Sequence, residues 1–211
     1  MPALSVVARA ILAVAAFAAV ATAAVAPTPP QTNQTNLPPP PDGLFESYTR
    51  AAISAPIDTV WAAMVDFPSY PNWNPFLFIP LPSDEQTLVE NKRVIFQTQI
   101  PPLALPVTNS TAPDLLNAQI SFENITHVDE ALGRAAWRQL DFPKVALDSE
   151  RWSAVSVITD GPDAGKVLYE SRMVYAGALA PILQLLYETA LQEAFDAQAV
   201  AMQDLLEGQS A

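Results

Sequence analysis

The sequence predicts an α+β domain, an antiparallel β-sheet packed against one long C-terminal helix. Two patterns carry this expectation. Between residues 94 and 175 apolar and polar side chains alternate in five successive stretches, the two-residue period of half-buried strands. From Ala178 to Glu207 the period changes to three and four, which gathers the apolar residues on one face of a helix. Half of the 211 residues are apolar, and a chain of this length gives one domain of ordinary size plus extensions.

Folded sequence begins near Leu44. The stretch Phe45 to Ile53, FESYTRAAI, has the length and mixed polarity of a strand. It stops at Ser54-Ala55-Pro56, a hydroxyl able to cap a helix followed by a proline suited to a first turn. A short helix is expected from Ile57, with Ile57, Val60, Trp61, Met64 and Val65 on one buried stripe. Asp58 then lies near the positive end of the helix dipole. In PSYPNWNPF, Pro68, Pro71 and Pro75 permit at most a short helical turn before the chain extends again. Strands follow over 94–100, 118–126, 134–142, 150–158 and 167–175. Their links are rich in Pro, Gly, Asn and Asp, so neighbours pair antiparallel. In the final helix Leu179, Ile182, Leu183, Leu186, Tyr187, Leu191, Phe195, Met202, Leu205 and Leu206 share one face, with Pro181 in the first turn and Gly208 at the end. About ten large apolar side chains represent on the order of 15–30 kcal/mol of gross burial before entropy is subtracted. Only the sheet is large enough to cover such a face.

Composition narrows the chemistry. Against 10 Lys and Arg stand 22 Asp and Glu, a net charge of −12, which repels polyanions and argues against nucleic acid or an anionic lipid surface as partner. The absence of cysteine excludes disulfides, thiolate catalysis and Cys-based metal sites. His127 is the single histidine, so no two-His site can be built, and neither a metal nor a cofactor is expected. No GxSxG, HExxH, P-loop or dinucleotide fingerprint occurs. The acidic pairs Asp84-Glu85 and Asp129-Glu130 are adjacent in sequence, point to opposite sides of an extended chain and read as solvated turns.

The N-terminal region reads as targeting sequence. An uncharged run of 17 residues from Ala10 to Ala26 follows Arg9 and contains A-x-A at Ala21 to Ala23. That pattern predicts a signal peptide over residues 1–23 and a secreted protein, with no stable membrane insertion after cleavage. Retention of the run as an anchor is the alternative. Residues 24–43 hold seven prolines and are expected to form a disordered, extended tether, leaving residues 44–208 as the folded domain. Sequons at Asn33, Asn109 and Asn124 are candidate glycosylation sites that agree with secretion.

Two stretches carry a family resemblance. IS-AP-IDTVWAAMVDFPSYPNWNPF at Ile53 to Phe76 is similar to the strand-to-helix entry of the START-like, or SRPBCC, superfamily, which includes the Bet v 1, polyketide-cyclase and coenzyme Q-binding families. ESRMVYAGALAPILQLLYE at Glu170 to Glu188 resembles that superfamily's last strand, junction and final helix; Glu150 to Ile158 is a weaker third match. The resemblance implies a helix-grip fold, a curved antiparallel sheet wrapped around the terminal helix, with a cavity for an apolar ligand between them. A dry void of several hundred Å³ would cost on the order of 10 kcal/mol, so a filled or partly closed pocket is expected.

On this resemblance the expected function is a secreted, monomeric binder of a small hydrophobic ligand such as a lipid, sterol, quinone or polyketide. A polyketide cyclase or aromatase-like enzyme and a cell-surface interaction module with a closed cavity are the alternatives. Candidate ligand contacts are Trp73, Phe76, Phe96, Phe122, Trp137, Trp152, Tyr169, Met173, Leu183 and Tyr187, though each aromatic equally suits plain core packing. Strand parity places Asn124 with Ile120 and Phe122, facing inward. His127, Tyr169 and Arg151 are the candidate acid, base or anchoring groups for the enzymatic reading. For Arg151 and Arg172, surface positions beside Glu150 and Glu170 are the plainer expectation.

Overall fold

In the computed structural model, which describes residues 35–78 and 87–208, the elements follow the predicted order. Strand β1 (Phe45–Ile53) leads into helix α1 (Ile57–Val65), a 3-10 turn (Phe67–Asn72) and the two-residue strand β2 (Leu77–Phe78). There follow β3 (Arg93–Gln99), β4 (Ala118–Asp129), β5 (Arg134–Gln139), β6 (Asp148–Val157) and β7 (Val167–Ala176), then the long helix α2 (Ala180–Gly208). The signal-peptide stretch, Asn33 and the Asp84-Glu85 pair lie outside the described residues.

The strands form one sheet in the order β1-β7-β6-β5-β4-β3-β2, every neighbouring pair antiparallel. The hairpin succession from β3 to β7 follows from the short turn-rich links. The first strand is the exception to sequence order, pairing with the last from Phe45 opposite Tyr175 to Ile53 opposite Val167. The sheet curls around α2 in a helix-grip arrangement. Phe195, Ala194 and Met202 of the helix are fully buried against it.

Strand β1 has a strand partner on one side only, and α2 satisfies part of its other edge. Gln192 Nε2 donates to the Tyr48 carbonyl at 2.7 Å while the Tyr48 N–H donates to Gln192 Oε1 at 3.1 Å. One amide side chain thus takes the place of a neighbouring strand's backbone, which also blocks edge-to-edge association there. The Ser54 N–H donates to Glu207 Oε1 at 2.9 Å. The expected hydroxyl cap is not formed: Pro56 occupies the N-cap of α1 and no side chain caps the helix.

The turn from β7 into α2 depends on Gly177, whose φ of +98° is left-handed and whose absent Cβ would lie 2.8 Å from the Ala146 carbonyl oxygen. The following N–H groups of Ala178 and Leu179 donate to Val145 and Ala146, so the β5–β6 loop seats the start of the helix. Gly177→Ala combines strain with a clash and is expected to cost more than about 1 kcal/mol, measurable by urea unfolding.

Of the tether expected to be disordered over residues 24–43, residues 24–34 lie outside the described residues, and the part from Thr35 is ordered. This part lies across the outer face of the sheet. Leu37 is buried, and Asn36 Nδ2 donates to the carbonyls of Leu132 at 2.6 Å and Val155 at 2.8 Å. Arg134 donates to Asn36 Oδ1 through both Nε and Nη2. Glu170, buried on that face, accepts from Thr35 Oγ1, the Asn36 N–H and the Tyr48 hydroxyl. Prolines keep this strap extended, and its polar residues supply what outward-facing Glu170 and Arg134 require. Asn36→Ala is expected to cost about 2 kcal/mol or more, read as a lowered melting temperature, because it leaves several groups unpaired at once.

Candidate functional site

Inward-facing residues of β3 to β7 and the near face of α2 do not fill the space between sheet and helix. They leave a half-open pocket between them. Its apolar lining includes Phe76, Phe96, Ile100, Trp137, Leu147, Met173, Leu183 and Leu191. Strand parity also delivers polar residues: Ser121 and Glu123 from β4, Gln139 from β5, Ser149 and Arg151 from β6 and Tyr175 from β7, with Asp141 following β5.

Arg151 sits deep in this space, 2% exposed. Its Nε donates to Ser171 Oγ at 2.8 Å and one terminal nitrogen, Nη2, to Gln198 Oε1 at 2.8 Å. The guanidinium carbon lies 4.2 Å from the Phe195 ring centre, 5.4 Å from Phe76 and 5.6 Å from Trp137. Aromatic faces attract a cation, most strongly where water is excluded. The other terminal nitrogen, Nη1, has no hydrogen-bond partner among the described residues. The surface position expected for this arginine is therefore incorrect. Ser149, Arg151 and Ser153 form the inner face of β6, while the outer face carries Glu150 and Trp152.

Glu123 is the second buried charge-bearing group, 5% exposed. Its Oε1 accepts from Ser121 Oγ at 2.6 Å, and its Oε2 has no hydrogen-bond partner among the described residues. Burial pushes its carboxyl up to about 8, with Asp141 adding to the rise while Ser121 and Arg151 oppose it. Asp141 is raised for the same primary reason, burial, opposed by hydrogen bonds from the Phe122 backbone and Ser121. Burial also raises the Tyr175 phenol, opposed by Ser47 and Arg151. At neutral pH the cavity thus presents the Arg151 guanidinium and, in Glu123, a neutral carboxylic acid, with Asp141 beside them.

Of the residues expected to contact ligand, Phe76, Phe96, Trp137, Met173 and Leu183 line the cavity, and Arg151 joins them. The others stand elsewhere. Trp73 packs edge-on against Tyr70 in the core, with ring centres 5.1 Å apart. Tyr169 is fully buried in the core away from the cavity lining, and Tyr187 is half-buried at the core's edge. Phe122 is 49% exposed. Trp152 is half-buried on the outer face, where its indole N–H donates to Glu150 and its ring lies 5.0 Å from His127. His127 and Tyr169 therefore do not share a site with Arg151.

The inward orientation expected for Asn124 is also overturned. With Phe122 exposed and Glu123 and Ile125 buried, Phe122 and Asn124 belong to the outer face, while Ile120 at the start of the strand reaches the pocket lining. Asn124 is half-buried there, its Nδ2 donating to the Ile125 carbonyl at 3.1 Å. Asn109 lies exposed in the β3–β4 loop. Arg172 is half-buried on the outer face and donates to the Pro38 carbonyl. Sequence reasoning missed Glu123, Gln139, Asp141 and Gln198. The available signal was the polar parity of Gln119, Ser121 and Glu123 along β4, set against the apolar parity of Ile120 and Phe122.

Among the described residues no helix is long and apolar enough to cross a membrane, and no group of three or more His, Cys, Asp or Glu could hold a metal ion. The sequence matches no protein-family model and no curated protein. Its fold is similar to several solved structures. A START superfamily protein from Mycobacterium smegmatis matches at 14% identity and a TM-score of 0.51, over 78% of this chain and 98% of that one. The protein XoxI from Bacillus cereus matches at 13% identity and a TM-score of 0.51, over 80% and 99%. A Rhodobacter sphaeroides protein matches at 9% identity and a TM-score of 0.54, over 78% and 93%. At such identities the likeness is one of fold.

Proposed function

Given that the chain has the START-like, helix-grip fold, we propose that it binds a small hydrophobic molecule in the cavity between the sheet and α2. The observation that carries this reading is the half-open pocket itself, lined mainly by aromatic and aliphatic side chains. A concave apolar space with a few convergent polar groups is the usual form of a small-ligand site. Space of this kind also argues against the closed-cavity surface module, which requires bulky side chains to fill it. The enzymatic alternative loses support because two of its three candidate groups stand outside the cavity.

Extraction of the purified protein with organic solvent, followed by mass spectrometry, tests for a resident ligand. Displacement titrations with a fluorescent apolar probe test the site. Leu183→Trp places a larger ring in the cavity and is expected to weaken probe binding about ten-fold or more, a loss of about 1.4 kcal/mol. Unchanged binding in that variant, with no extractable ligand in the parent, would remove the proposal.

Secretion belongs to the same reading. It is supported by the uncharged run from Ala10 to Ala26 and its A-x-A site, and by the exposure of Asn109, a sequon acceptor. A mature chain beginning at Ala24 in the culture medium is the expected result, and a cell-retained chain beginning at Met1 would contradict it.

A further inference from the structure

Resting on the binding reading above, we infer that the cavity selects an apolar ligand ending in a carboxylate, held between Arg151 Nη1 and the side chain of Glu123. Both atoms involved, Arg151 Nη1 and Glu123 Oε2, belong to buried residues lining the same cavity, and neither has a hydrogen-bond partner among the described residues. The hydrogen-bonding neighbours of Arg151 are the neutral Ser171 and Gln198, and the rest of its surroundings are aromatic faces. Among the described residues Arg151 forms no ion pair.

A buried cation without a counter-ion is costly, and an entering anion relieves that cost. A carboxylate has two oxygens: one can accept from the guanidinium, the other from the Glu123 hydroxyl while that acid keeps its proton. An apolar alcohol gives the guanidinium no counter-charge. A pure hydrocarbon leaves both buried groups unpaired, and sites built around polar groups reject ligands lacking the matching one. An ammonium would meet Arg151 head-on.

The groups facing Glu123 determine how this responds to pH. Asp141 approaches from the segment after β5, Arg151 from β6 and Tyr175 from β7. Its register neighbours on β3 and β5 are the uncharged Val94 and Gln139, and α2 contributes Leu183 and Leu191 to the lining. Glu123 holds its proton up to about pH 8. Above that it stops donating and places a second negative charge beside the ligand's own.

Octanoic acid and 1-octanol, competed against a fluorescent apolar probe at about pH 6.5 and about pH 9.5, separate the possibilities. The acid is expected to bind about ten-fold tighter than the alcohol at the lower pH and to lose that advantage at the higher one, since hydrogen bonds to charged groups are the stronger kind. Arg151→Gln should abolish the acid's advantage while the alcohol still binds, and Arg151→Lys, which keeps the charge, should retain part of it. Glu123→Gln should keep the preference and remove its decline with pH. Equal affinity of acid and alcohol in the parent protein, or an acid preference that survives Arg151→Gln, would overturn the inference while leaving the binding reading intact. Failure of both ligands to displace the probe would overturn both.

Discussion

Replacing Phe195 with alanine is expected to cost about 3–5 kcal/mol of folding free energy, the range for removing a large ring from a packed core. Phe195 is fully buried at the centre of the face that α2 turns to the sheet. Its ring lies 5.7 Å from that of Phe76 and 4.2 Å from the Arg151 guanidinium carbon. The truncation therefore opens a void beside Phe76 and strips a buried cation of its nearest aromatic face. Urea unfolding measures the effect. Leu185→Ala, on the same helix but at a side chain 62% exposed, should stay within about 0.5 kcal/mol. A cost below about 1 kcal/mol for Phe195→Ala would mean that the helix does not grip the sheet through this residue.

The second large effect concerns pH. The Glu123 carboxyl keeps its proton to about pH 8 when folded, against 4.5 for an unperturbed glutamate. Between those values the folded state binds more protons than the unfolded one, so stability falls as pH rises through that window. The penalty is absent below about pH 4.5 and complete above about pH 8. At about 1.4 kcal/mol per pH unit it is on the order of 5 kcal/mol. Asp141, also raised by burial, acts in the same direction. Glu150, whose carboxyl is lowered, its own burial outweighed by hydrogen bonds and by the nearby Arg138, acts oppositely and only as pH falls through the carboxylate range. Glu123→Gln should therefore be more stable than the parent above pH 8 and show a flatter decline between pH 5 and pH 8, read from melting temperatures. A parent protein whose stability is constant or rising over that window would contradict the burial of this acid.

The fold was legible where one period dominates. The rhythm of Leu183, Leu191, Phe195, Met202 and Leu206 defines the long helix because large apolar residues recur on that face, and the polar Gln198 falls in the same register. Strand β1 and the start of α1 were equally clear, because Pro56 punctuates the sequence between them. The site was only half legible, for a physical reason. Strand parity identifies the inner face only when that face is the more apolar one, and this cavity carries polar groups. On β4 the inward residues Gln119 and Glu123 are polar while Phe122 faces out, which inverts the usual reading. The register shift between Ile125 and His127 then breaks the alternation beyond it. Arg151 was misplaced in the same way, since a polar run such as Ser149, Arg151 and Ser153 looks like a solvated face until a helix is seen to cover it. The strap from Thr35 was hidden because its anchors are two polar residues among prolines, and their partners Glu170 and Arg134 lie about 100 residues or more downstream.

The account stands on an apolar molecule entering the space beneath α2. Methyl-resolved NMR of Leu183, Leu191, Ile100 and Met173, all cavity-lining, during titration with 1-octanol tests this most directly. Saturable shifts at these methyls, with Leu115 and Val145 on the exposed surface unmoved, are the predicted result. Shifts confined to surface methyls, or none at all, would contradict it.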